Sequence, residues 1–147
     1  VDPFYLSYIA KKKKLKTITT LAGRKTNDNM ENYILNTFKN FVNKKNIKKN
    51  NCKILIVGLS YKYGVADIRN SINLKIYQKI KKMYKKTFSF DPFVTDSSLK
   101  SNINIRNIGS FDVVIFLAKG KIYEKLYKKI AAKKRDTILD PFYYYKK

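Results

Sequence analysis

Two neighbouring polar segments could together bind a phosphate group. The first is G-L-S-Y-K at 58–62, which follows the apolar run K-I-L-I-V at 53–57, and the second is D-I-R-N-S at 67–71. The apolar run is uniform and rich in β-branched residues, which predicts a buried strand of a parallel sheet. Such sheets bind ligands at the carboxyl ends of their strands. We therefore predict a ligand site within 58–71.

The residue types in these segments suit a diphosphate. Lys62 and Arg69 would bring two cations to the strand end, and Gly58 allows a sharp turn there. Asn70 or Ser71 could cap the next helix, whose free N–H groups and positive dipole end favour an anion. Neither the P-loop nor the dinucleotide-binding fingerprint is present. The segment alone therefore leaves open that both cations are ordinary solvated side chains.

Composition limits the class of protein. A chain of 147 residues with 44% hydrophobic content can fill the core of one compact domain with a helical extension. The sequence contains no run of about 20 apolar residues, so we expect a soluble, cytoplasmic protein that does not enter a membrane.

Cys52 is the only cysteine and histidine is absent, which excludes an internal disulfide and argues against a metal site. We interpret Cys52 as a reduced, apolar filler.

The formal net charge of +23 would ordinarily indicate a polyanionic partner. Lysine is abundant here together with asparagine, isoleucine, tyrosine and phenylalanine, whose codons are rich in A and T, and the lysines are dispersed along the chain. We therefore attribute the charge to base composition and predict no specific nucleic acid partner. A basic nucleic-acid-binding α/β protein remains the less favoured alternative.

Hydrophobic spacing predicts the elements that position the candidate site. An apolar face predicts a helix over 3–14, and a stripe that includes Ile34 and Phe38 predicts a longer helix over roughly 17–43. Alternating strands and amphipathic helices then predict an α/β domain with a mainly parallel sheet. The predicted domain organisation is a helical segment at 1–46, a linker at 47–51 and the α/β domain at 52–147. The predicted strands are 53–57, 87–90, 103–108, 112–118 and 137–139.

Three expectations concern details of the α/β domain. Ile122, Leu126 and Ile130 should face inward from the helix after the strand at 112–118, and the tail at 143–147 should fray. Asp91 follows the strand at 87–90, where an acid could bind a ribose hydroxyl or serve only the turn. Both roles of Asp91 stay open.

Four collinear segments resemble the nucleotide-sugar dehydrogenase family, also called the UDP-glucose/GDP-mannose dehydrogenases. Residues 58–71, G-L-S-Y-K-Y-G-V-A-D-I-R-N-S, resemble the family segment G-L-(A/S)-Y-K-x-x-x-x-D-x-R-x-S. The opening V-D-P-F-Y-L-S-Y resembles the segment that follows the catalytic cysteine in the branch oxidising UDP-N-acetyl-hexosamines. The segments L-A-G-R-K-T-N-D-N-M at 21–30 and F-D-P-F-V at 90–94 are also similar to family segments.

The resemblance implies the carboxy-terminal part of an NAD-dependent nucleotide-sugar 6-dehydrogenase of surface polysaccharide synthesis. It implies a long central helix that forms a homodimer, followed by a Rossmann-like, UDP-sugar-binding α/β domain. In the family, a cysteine thiolate carries the substrate through a thioester while two NAD molecules are reduced. This chain would begin just after that cysteine and lack the NAD domain, so it would be inactive alone. A non-catalytic UDP-sugar-binding remnant is the alternative.

The resemblance also assigns roles to single residues. Asp2 corresponds to the aspartate four residues after the family's cysteine, which assists proton handling; as a residue it could equally be the first acid of a helix. Tyr61 and Lys62 match the aromatic-lysine pair that contacts the UDP-sugar. Arg69 matches an arginine that reaches toward NAD. Tyr143 stands where the family often has an arginine, which puts one substrate contact in doubt.

Overall fold

The computed structural model describes residues 2–48, 51–99 and 109–145. It divides into two compact units, Val1–Tyr33 and Ile34–Lys147. The predicted strand at 103–108 falls outside the described residues. The helices are α1 (Asp2–Lys12), α2 (Ile18–Lys44), α3 (Ile72–Met83) and α4 (Lys121–Lys134), and the strands are β1 (Ile54–Val57), β2 (Thr87–Phe90), β3 (Val113–Phe116) and β4 (Ile138–Leu139).

The four described strands form one parallel sheet in the order β2-β1-β3-β4. Val57, the last residue of β1, pairs with Phe90 of β2 on one side and with Phe116 of β3 on the other. The chain thus runs from β1 outward to β2 and returns to the opposite side of β1 for β3. Ligands of such sheets bind where the strand order reverses. That point lies between the carboxyl ends of β1 and β3, and the predicted Rossmann-like fold class is confirmed.

The central strands are buried along their whole length. Every residue of β1 (I-L-I-V) and β3 (V-V-I-F) is inaccessible to solvent, as continuous apolar runs in a parallel sheet require. Helix α4 packs Tyr123, Leu126, Tyr127 and Ile130 into a core shared with these strands. Burial of such side chains stabilises the fold by roughly 1.5–3 kcal/mol each.

The register of α4 differs from the prediction in one respect. Ile122 is 40% exposed, whereas Tyr123 is fully buried. The buried residues of α4 are spaced at i, i+3, i+4 and i+7, which is one helical face, and Tyr123 begins that face. The prediction is confirmed for Leu126 and Ile130 and wrong for Ile122, because the geometry of the helix decides which side chain faces the sheet.

The end of the described chain is anchored, so the prediction that the tail frays is wrong for residues 143–145. The backbone N–H groups of Tyr144 and Tyr145 donate to the Asp140 carboxylate at 3.1 and 2.8 Å. The ring of Tyr145 also packs against Phe116 and Tyr127. By accepting these two N–H groups, the Asp140 carboxylate turns the chain back onto the sheet.

Helix α2 carries the predicted apolar stripe. Its buried residues include Ile34 and Phe38, and the Phe38 ring meets Tyr84 edge-on at 5.4 Å between centroids.

In the unit Val1–Tyr33, the Thr17 hydroxyl donates to Ser7 at 2.9 Å. No helix within the described residues has the length and apolar character needed to span a bilayer. The predicted domain limits at 46 and 52 stay a prediction.

Cys52 is buried, with 2% of its surface exposed, which confirms its interpretation as an apolar filler. Burial, together with the Asp112 charge, raises the pKa of its thiol to about 11 from 9.0. The folded chain therefore holds this proton when the unfolded chain has lost it, and folding stability is lost as pH rises from about 9 toward 11.

We expect the free energy of unfolding of the wild type to fall more between pH 8 and pH 10 than that of Cys52→Ala. Urea denaturation of both proteins at both pH values measures the two changes in the free energy of unfolding. The contribution of the titrating lysines is the same in both proteins and cancels in the comparison. At pH 8 the wild-type thiol should also react slowly with Ellman's reagent until urea is added. Equal pH dependence in the two proteins would contradict the shifted pKa.

Candidate functional site

The turn after β1 lies at the point where the strand order reverses. Gly58 has φ +87°, and its N–H donates to Phe90 O at 2.9 Å. A Cβ on Gly58 would overlap the Cβ of Ala118, which follows β3. Glycine is therefore required here for two reasons: the left-handed backbone and the close approach of the two turns.

The Asp91 carboxylate joins this turn to the end of β2. Its Oδ2 accepts from the N–H groups of Leu59 and Ser60, each at 2.8 Å, and its Oδ1 accepts from Phe93 N–H at 3.0 Å. Both oxygens thus bind backbone of this chain. These contacts favour the turn role over the ribose role, and they show that the N–H groups of the β1 turn are not free.

Ser71 caps helix α3, as the sequence predicted. Its hydroxyl accepts from Leu74 N–H at 3.3 Å and donates to Leu59 O at 2.6 Å. Asn70, the other candidate cap, instead has φ +56°. One buried hydroxyl therefore fixes both the start of α3 and the turn after β1.

Tyr61 and Lys62 lie side by side on the outer part of the turn and are exposed, Tyr61 at 72%. Two backbone hydrogen bonds within residues 61–67 stabilise this turn: Tyr61 N–H donates to Asp67 O at 2.9 Å, and Val65 N–H donates to Lys62 O at 3.3 Å. The structure thus presents an aromatic ring and an ammonium group on a braced turn at the carboxyl edge of the sheet.

Arg69 pairs with Asp67 of the same segment. Its Nε and a terminal nitrogen donate to the two carboxylate oxygens at 3.0 and 2.9 Å, and its backbone N–H donates to Asp67 Oδ1 at 2.9 Å. The Arg69 side chain is 86% exposed. Its hydrogen bonds lower the pKa of Asp67 to about 2 from 3.8. Arg69 is therefore oriented by a neighbouring acid and reachable from solvent.

We expect the Asp67 carboxyl to titrate near pH 2 in the wild type and at a higher pH in Arg69→Ala. The variant loses the side-chain hydrogen bonds and the nearby positive charge, while the backbone N–H bond remains. Carbon-detected NMR of the carboxyl resonance over pH 1.5 to 6 measures both midpoints. The same midpoint in both proteins would show that the pair does not form in solution.

An aromatic cluster lies beneath the exposed turn. The Tyr63 ring meets Phe93 and Tyr123 edge-on, with centroids 5.1 and 5.6 Å apart, and a Cβ on Gly120 would overlap the Tyr63 ring.

The buried hydroxyls of Ser60 and Tyr123 lack a hydrogen bond of good geometry. Burial, followed by the Asp91 charge, raises the pKa of Tyr123, so its hydroxyl stays protonated beside that carboxylate. Sequence reasoning missed this cluster, for which the helical spacing of Tyr123 was the only signal.

Tyr145 braces the turn after β3. Its hydroxyl donates to Ala118 O at 2.9 Å and accepts from Gly120 N–H at 3.0 Å. Burial raises the pKa of Tyr145 to about 12. The turns after β1 and β3 form the two walls of a crevice at the carboxyl ends of these strands, and the wall after β3 is therefore held by the last described residue.

The resemblance singled out two further residues, Asp2 and Tyr143. Asp2 opens α1, and its side chain is outside the described part of the chain. Tyr143 is 68% exposed with φ +55°. In the described ranges, no three histidine, cysteine, aspartate or glutamate residues come together as a metal site.

The family profile described as UDP-glucose/GDP-mannose dehydrogenase family, UDP binding domain, matches residues 55–147. A UDP-N-acetyl-D-glucosamine 6-dehydrogenase of Salmonella typhi is 31% identical over 105 residues, which are 71% of this chain and 25% of that protein. A UDP-N-acetyl-D-mannosamine dehydrogenase of Methanocaldococcus jannaschii is 27% identical, over 95% of this chain and 31% of its own length.

Solved structures share the fold. A UDP-D-ManNAc dehydrogenase from Pyrococcus horikoshii superposes with a TM-score of 0.68 at 20% identity, covering 89% of this chain and 30% of its own. This chain spans about a quarter to a third of the length of the relatives described. The matched profile contains the described sheet except for its first residue, Ile54, together with the turns after β1 and β3, and the chain therefore belongs to the UDP-glucose/GDP-mannose dehydrogenase family, of which it contains the UDP binding domain.

Proposed function

We propose that this chain binds the UDP-sugar substrate of an NAD-dependent nucleotide-sugar 6-dehydrogenase that makes a UDP-uronic acid for surface polysaccharide. The observation that carries the proposal is the exposed Tyr61–Lys62 turn at the strand-order reversal, inside a matched UDP binding domain. Relatives named for UDP-N-acetyl-hexosamine oxidation support that substrate class. The opening V-D-P-F-Y-L agrees with the same branch.

The residues of this chain would bind and orient the substrate. The Lys62 ammonium would neutralise one phosphate of the diphosphate, and the Tyr61 ring would pack against the adjoining sugar. Asp2 would assist proton transfer at the reacting carbon, and Arg69 would reach the NAD. NAD supplies the hydride acceptor when bound. We also propose that α2 forms a homodimer and that the enzyme is cytoplasmic.

We expect Lys62→Ala to weaken UDP binding by about 10-fold or more, because a charge-assisted hydrogen bond contributes roughly 1.5–3 kcal/mol. Isothermal calorimetry at fixed ionic strength measures the two dissociation constants. Fixed salt matters because the net charge of +23 attracts any anion.

Lys133→Ala is the matched control. Lys133 is exposed in the last turn of α4 and carries the same charge. Helix α4 starts at the carboxyl edge of the sheet and runs back toward the amino edge, so Lys133 lies far from the crevice. An equal, small loss of affinity in both variants would remove Lys62 from the site and leave only a general charge effect.

A further inference from the structure

The β1 turn has the backbone geometry of an anion-binding nest. Gly58 has a left-handed backbone, and the next two N–H groups, those of Leu59 and Ser60, converge on one point. Successive N–H groups in such a turn form a concavity that binds phosphates and other anions in many proteins. The sequence predicted that the diphosphate would be held at this place.

The occupant of the nest is the chain's own Asp91. One carboxylate oxygen accepts both N–H groups at 2.8 Å, and the other accepts from Phe93 N–H. A tethered carboxylate competes with a dissolved phosphate at a very high effective concentration. Its negative charge also repels a second anion at the same point. A diphosphate must therefore bind further out.

The nest and the exposed turn are adjacent in the chain. Ser60 donates its N–H to Asp91 and is directly followed by Tyr61 and Lys62. Ser60 is 2% exposed, so this residue lies below the surface while the next two residues extend into solvent. The direction in which Tyr61 and Lys62 project thus depends on the contact between Ser60 and Asp91.

We propose that Asp91 is a positioning residue for the ligand: its carboxylate fills the nest of the β1 turn and holds Tyr61 and Lys62 in the orientation that binds a diphosphate outside the nest. The part concerning the ligand rests on the proposed function. The filling of the nest is a property of the chain alone and can be tested without a nucleotide.

Calorimetric titration with UDP at fixed ionic strength compares the wild type with Asp91→Ala, Asp91→Asn and Asp96→Ala. Asp96 is the matched control, because it follows the same strand and accepts from Ser98 N–H at 2.9 Å but does not contact the β1 turn. We expect the affinity of Asp96→Ala to equal that of the wild type. Asp91→Asn should bind UDP more weakly than the wild type. Asp91→Ala should bind UDP at least about 10-fold more weakly, because Tyr61 and Lys62 would no longer be held in the orientation that contacts the ligand.

Sodium formate provides a readout that a merely structural role would not change. Formate can supply the missing carboxylate, so in Asp91→Ala it should shift the NMR signals of the Leu59 and Ser60 amides toward their wild-type positions and restore part of the UDP affinity. Sodium chloride at equal concentration should do neither, and the wild-type signals of both amides should not respond to formate.

The positioning role would be overturned if Asp91→Ala bound UDP as tightly as the wild type or more tightly. It would also be overturned if formate changed neither the two amide signals nor the UDP affinity of Asp91→Ala. Should Asp91→Ala fail to fold, Asp91→Asn decides by its UDP affinity. Should the wild type itself not bind UDP, the proposed function and the positioning role both fall, while the formate shift of the two amides still decides whether Asp91 fills the nest.

Discussion

Gly58→Ala is expected to destabilise the fold by about 2–4 kcal/mol. Alanine at φ +87° has a strained backbone, which costs roughly 1 kcal/mol or more. Its Cβ would also overlap Ala118 on the neighbouring turn, and overpacking in a tight site costs about 1–3 kcal/mol. The two turns that form the crevice would have to separate, so UDP affinity should fall as well.

Gly64→Ala separates the cost of the strained backbone from the cost of the overlap with Ala118. Gly64 has nearly the same backbone, φ +81°, but nothing lies within 4 Å of the position its Cβ would take. It should therefore show only the backbone cost of about 1 kcal/mol. Urea denaturation of the two variants and the wild type measures both values. Equal destabilisation would mean that the β1 and β3 turns are not in contact in solution.

Asp140→Ala should destabilise the fold by about 2–4 kcal/mol. Asp140 is 7% exposed, and its carboxylate accepts the N–H groups of Tyr144 and Tyr145. Losing a hydrogen bond to a charged group costs about 1.5–3 kcal/mol, and the N–H groups left behind lose their shared partner. Tyr145 would also lose its anchor, and with it the hydroxyl that bridges Ala118 and Gly120.

Asp136→Ala is the control for that substitution. Asp136 lies four positions earlier and pairs with Lys45 at 2.9 Å, but its side chain is 74% exposed. Exposed ion pairs contribute little because water and salt screen them. Thermal and urea denaturation should therefore show a much smaller change for Asp136→Ala. Similar losses in both variants would indicate that the tail does not fold back as described.

The sequence was sufficient where one segment decides its own structure. The apolar runs I-L-I-V and V-V-I-F predicted buried parallel strands because no exposed strand would carry them. Helices α1 and α2 followed from apolar spacing and begin and end within two residues of their predicted limits. The residue types also narrowed the cap of α3 to Asn70 or Ser71, and the structure selects Ser71.

The sequence was insufficient where distant segments decide together. The bond between Asp91 and Ser60 joins residues 31 positions apart, and nothing in either segment shows which anion fills the turn. The anchoring of Tyr145 on Ala118 likewise depends on two ends of the domain meeting across the sheet. The filled turn and the anchored tail are both tertiary contacts of single carboxylates or hydroxyls, which leave no periodic pattern.

A two-dimensional NMR titration of the full chain with UDP at fixed ionic strength tests whether the exposed turn at Tyr61 and Lys62 binds UDP. We expect saturable 1:1 binding, with the largest shifts at the Tyr61 and Lys62 amides and a weaker response to inorganic pyrophosphate. Non-saturating shifts spread over the lysines, equal for UDP and pyrophosphate and lost at high salt, would contradict a UDP site and indicate only the general attraction of a cationic chain for anions.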